Sequence, residues 1–141
     1  MHPIFVHFPV ALTILVIALQ LARVFARVPL STGSILILLA LTVASAFLAG
    51  LTGENSFGNL EPQLTPAVVA LVEEHETFAD GFIWTGLVVL IGWTWGYAKG
   101  WNPVWLDRAA LVALLLLGIL IWETGAHGGD LVYFHGVGVT R

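Results

Sequence analysis

Four stretches of this chain, 3–26, 34–51, 78–97 and 107–122, each run for close to twenty residues with almost no charge. A bilayer core about 30 Å thick is crossed by about 20 apolar helical residues, and in hydrocarbon only helices or closed barrels pair all their backbone groups internally. The expectation is an all-α, integral membrane four-helix bundle forming one domain over 1–141. Composition agrees, since 58% of the 141 residues are hydrophobic and 10% charged, where a soluble domain carries about a quarter charged. A water-soluble monomer and a disordered chain are both excluded. Five Lys and Arg against nine Asp and Glu leave a formal charge of −4, so there is no basic footprint for nucleic acid. The absence of cysteine removes disulfides, thiolate metal sites and iron–sulfur ligation.

The charges also orient the spans. Arg23 and Arg27 follow the first span and Lys99 and Arg108 flank the third connection, whereas eight of the nine acids lie in or beside 52–77 and 123–141. The positive-inside rule then puts both termini on the extracytoplasmic side. Because its basic residues follow the apolar stretch, the first segment reads as a span and not as a signal peptide. Within the outer loop 52–77, Thr65-Pro66 reads as an N-cap and first helical position, so the third helix is expected to begin near Pro66. Thr52-Gly53 and Thr124-Gly125 read as two matching helix ends with glycine in the cap, a pseudo-repeat of two hairpins. The glycine-rich outer tail 123–141 reads as a lid over the bundle mouth.

All five histidines, His2, His7, His75, His127 and His135, fall in the outer part under this topology. Taken singly, each suits an interfacial hydrogen bond. Together they suggest a cofactor, because ionisable groups at membrane depth are costly and usually functional and neutral imidazole binds transition metals or haem. His7 and His75, on different helices, are the expected axial pair of a b-type haem, with His2 and His127 as further cofactor-binding candidates. Small residues (Ala11, Ala46, Gly50, Ala79, Gly81) offer room for a ring. Haem propionates would meet only Arg141 as a cation on that side, and would need water, backbone N–H groups or a partner subunit. The alternative is a non-haem metal held by His7, His75, His2 and His127 with Glu76 and Asp80.

The motifs His2-Pro3-x-x-Val6-His7-Phe8-Pro9, Thr52-Gly53, His75 and His127-Gly128-Gly129-x-Leu131-Val132-Tyr133 resemble a bacterial family of predicted four-span membrane proteins known only as domain of unknown function 2231. The resemblance covers the whole chain. It implies a multi-pass protein of the bacterial inner membrane, whose relatives can be joined to Rieske-type or c-type cytochrome domains. The expected function is therefore a redox subunit that passes electrons through haem to a cytochrome or iron–sulfur partner, among other membrane subunits. A cofactor-free structural or assembly subunit is the competing reading. No Gly-x-Ser-x-Gly, His-Glu-x-x-His or phosphate loop occurs, so a hydrolytic enzyme is a poor fit.

Overall fold

A computed structural model describes residues 2–60 and 64–137, with the side chains of 2–5 and 55–60 outside the description. The chain forms four helices: α1 (His2–Phe25), α2 (Thr32–Leu60), α3 (Pro66–Ala98) and α4 (Pro103–Tyr133). All four are long and apolar enough to cross a membrane. α1 runs through Pro9 unbroken, which membrane helices tolerate.

Local chemistry sets the helix ends. Ser31 caps α2 by accepting from the Ser34 N–H at 3.0 Å, and Asn102 caps α4 by accepting from Val104 and Trp105 ahead of Pro103. α3 starts at Pro66, with Thr65 at the cap position and no side-chain bond from it. It stops in a Schellman turn, where Gly100 (φ +68) lets its own N–H reach the Tyr97 carbonyl and the Trp101 N–H reach that of Gly96.

The helices pack as two antiparallel hairpins, α1/α2 and α3/α4, with α2 against α3 and α4 against α1 closing the ring. α1 and α3 are therefore diagonal. Backbone positions on α3 and α4 admit close neighbours: Gly86 lies against Val43 and Leu117, Gly118 against Ile17. The core runs through Val16, Ile35, Leu39, Phe82, Leu114 and Leu117, while apolar side chains such as Ile14, Ile37, Val88, Ile91 and Val112 point outward and are 60–69% exposed. Such a surface suits lipid.

Two expectations are corrected. Neither Thr52-Gly53 nor Thr124-Gly125 ends a helix: α2 continues to Leu60 and α4 to Tyr133. Both threonines instead bond back into their helices, Thr52 to the Ala49 carbonyl and Thr124 to that of Leu120. A glycine in a helix costs about 1 kcal/mol relative to alanine, less than leaving the carbonyls of a helix end unpaired near the bilayer, and buried Leu131 anchors the added turns. The stretch 123–133 of the supposed lid is thus helix. α4 closes at Gly136 (φ +66), whose N–H meets the Val132 carbonyl, and 138–141 lie outside the described residues.

At 1.5 Å per residue, α2, α3 and α4 extend about 14, 18 and 16 Å past the apolar stretches, all at the end where α1 begins. That end carries Glu54, Glu73, Glu74, Glu76, Asp80, Glu123 and Asp130; the opposite end carries Arg23, Arg27, Lys99 and Arg108.

Candidate functional site

The acidic end is built around the α3/α4 hairpin. Helical spacing puts Glu74 and Phe78 on one face of α3, one turn apart, opposite the turn of α4 carrying Glu123, Thr124 and His127. His75 and His127 are brought together here. The Nδ1 of His75 is 2.9 Å from the Thr124 carbonyl, and the Nδ1 of His127 is 2.8 Å from the Glu123 carbonyl. A carbonyl can only accept, so each ring donates through Nδ1–H and carries its basic lone pair on Nε2. The two imidazoles are fixed in one tautomer by consecutive carbonyls of one helix.

Their surroundings then differ. His127 stacks on Phe78 with ring centroids 5.0 Å apart, and its Nε2 is 3.6 Å from Glu74 Oε1. Through that stacked face it clamps α3 to α4. His75 is half-buried over Gly128, where an added Cβ would lie 3.1 Å from its Cε1 and 3.3 Å from its Nδ1. That close approach needs a glycine.

The remaining candidates are distributed around the mouth. His7 lies on α1, the helix diagonal to α3, with an exposed side chain. His2 begins α1, its side chain outside the described residues, and His135 is exposed in the turn after α4. Glu76 is half-buried in the part of α3 that precedes the apolar run; burial, and then the carboxylates of Glu54, Asp80 and Glu73, push its carboxyl above the ordinary range. Asp80 is exposed. Among the described residues no group of three or more His, Asp or Glu side chains could hold a metal ion.

The room expected from small residues is used for packing. Ile83 fills the space over Gly50 at 3.4 Å and Leu120 that over Gly81 at 3.8 Å. A groove of about 520 Å³ opens instead between α1 and α4, lined by Val10, Ile14, Ile17, Gly118, Trp122 and Gly125, among others. The sequence reading missed the Thr124 and Glu123 carbonyls as partners of the histidines, because it ended α4 at Gly125. The i, i+4 spacing of Glu123 and His127 was the available signal.

Four apolar antiparallel helices with a charged platform at one end define a multi-pass helical membrane protein. Over residues 1–141 the chain matches the family of predicted membrane proteins DUF2231, and it belongs to that family. No curated protein and no solved structure matches it.

Proposed function

We propose that this protein is a membrane redox subunit that would hold a b-type haem at the mouth of its acidic end through His75 and through His7 of the diagonal helix. The observation that carries the reading is the anchoring of His75: its Nδ1–H is committed to the Thr124 carbonyl, which orients the ring and raises its basicity, as outer partners of ligating histidines do. Haem needs only two protein ligands, one histidine from each of two facing helices.

Bound there, haem supplies one-electron chemistry. The chain's own residues orient it and set its surroundings. His127, stacked on Phe78, holds α4 and hence the Thr124 carbonyl in register with α3. The carboxylates of Glu54, Glu73, Glu74 and Glu76 give the mouth a negative field that favours a partner with a positive face, a c-type cytochrome or Rieske-type protein in this proposal. The positive-inside rule assigns the acidic end to the extracytoplasmic side of a bacterial inner membrane.

A visible spectrum of the detergent-purified protein, expressed with abundant haem, tests this. The expected result is a Soret band with split α and β bands on reduction, lost in His75→Ala and in His7→Ala. Stoichiometric non-haem metal without haem would replace this reading with a metal site. Neither cofactor would leave a structural subunit.

A further inference from the structure

We propose that the basic end of the bundle binds one internal water molecule that joins α1 to α3 through Gln20, Arg23 and Trp93. Gln20 is 0% exposed and its Nε2 donates to the backbone carbonyl of Asp107 at 2.9 Å. Arg23 reaches the same residue, with Nε and Nη2 each 3.1 Å from Asp107 Oδ2. Among the described residues, these bonds leave three buried polar atoms without a protein partner: Gln20 Oε1, Arg23 Nη1 and Trp93 Nε1. The first two are within a bond or two of atoms already touching Asp107. Trp93, 3% exposed, is packed in one cluster with Ala110 and with Val16, each one turn or less from Asp107 and Gln20. It lies one turn from Gly96, which faces Leu106 of α4, so the indole is level with the turn of α4 that carries Asp107.

The chemistry of the three atoms selects the guest. Two are donors and repel a cation. The third is an acceptor, which an anion cannot satisfy. A neutral molecule with two lone pairs and a proton to give satisfies all three, and the enclosure of Gln20 and Trp93 limits it to the size of water. Buried waters characteristically make about three bonds to polar groups that are otherwise unpaired, and unpaired groups at this depth are strongly unfavourable.

A double-mutant cycle on the full chain in detergent, with Gln20→Leu and Trp93→Phe, reads the shared guest through the unfolding equilibrium in SDS. If one water serves both residues, the effects of the single variants overlap, and the double variant departs from their product by about 5-fold or more, in the range found for coupled neighbours. Independent effects, with a product matched within about 2-fold, overturn the proposal. Should a variant fail to fold, indole ¹⁵N NMR of the unaltered chain decides: cross-relaxation between the Trp93 Nε1–H and a long-lived water is expected, and its absence refutes the site.

Discussion

The imidazole of His75 on α3 lies over the bare backbone of Gly128 on α4, with Cε1 3.1 Å and Nδ1 3.3 Å from where a Cβ would stand. One missing methyl group thus admits the ring to the Thr124 carbonyl one turn earlier. Gly128→Ala should push the ring aside and lengthen that bond; under the haem proposal, haem per protein falls severalfold while the helical circular dichroism is kept. Gly129→Ala is the control, since no atom of the described residues lies within 4 Å of its added Cβ; it should leave the site intact and gain up to about 1 kcal/mol from helix propensity. Equal haem content in the two variants would show that Gly128 does not seat His75.

Gly96 and Gly92 form a second matched pair. A Cβ on Gly96 would lie 2.8 Å from Leu106 Cδ1 and 3.0 Å from the Trp101 ring, while one on Gly92 meets nothing among the described residues within 4 Å. Gly96→Ala should cost about 1–3 kcal/mol by overpacking the Schellman turn, seen as a lower melting temperature in detergent. Gly92→Ala should be neutral or stabilising.

The Arg23–Asp107 pair joins α1 to α4, with side chains 16% and 17% exposed. Asp107→Ala leaves a partly buried guanidinium unpaired and should cost about 2–3 kcal/mol. Replacing both partners, Arg23→Met with Asp107→Leu, should recover most of that loss. Chemical denaturation of the three variants checks the order, and a double variant worse than Asp107→Ala would contradict it.

Acid dependence follows from Glu76. Burial and the neighbouring carboxylates raise its carboxyl above the ordinary 4.5 in the folded chain, so the folded state holds that proton more tightly than the unfolded state. Its contribution is most favourable below about pH 4.5 and is lost as pH rises through the raised value. Glu76→Gln should therefore melt higher than the unaltered chain at pH 7 and lose less stability between pH 4.5 and 7. Parallel melting curves across that range would refute the assignment.

The sequence by itself determined that four apolar runs must cross hydrocarbon as helices, because their length matches a helical crossing of the bilayer, about twice what a strand of a closed barrel needs. It also determined the partition of charge between the two ends and the start of α3, where Thr65-Pro66 carries a purely local signal. The tertiary structure alone decided where α2 and α4 stop. Gly53 and Gly125 are locally good helix ends, and only packing contacts such as that of buried Leu131 outweigh their conformational freedom. It likewise decided which histidines meet: His75 and His127 are 52 residues apart in sequence (127 − 75), and the carbonyls that fix their tautomers belong to a stretch of α4 whose helicity depends on the helices around it.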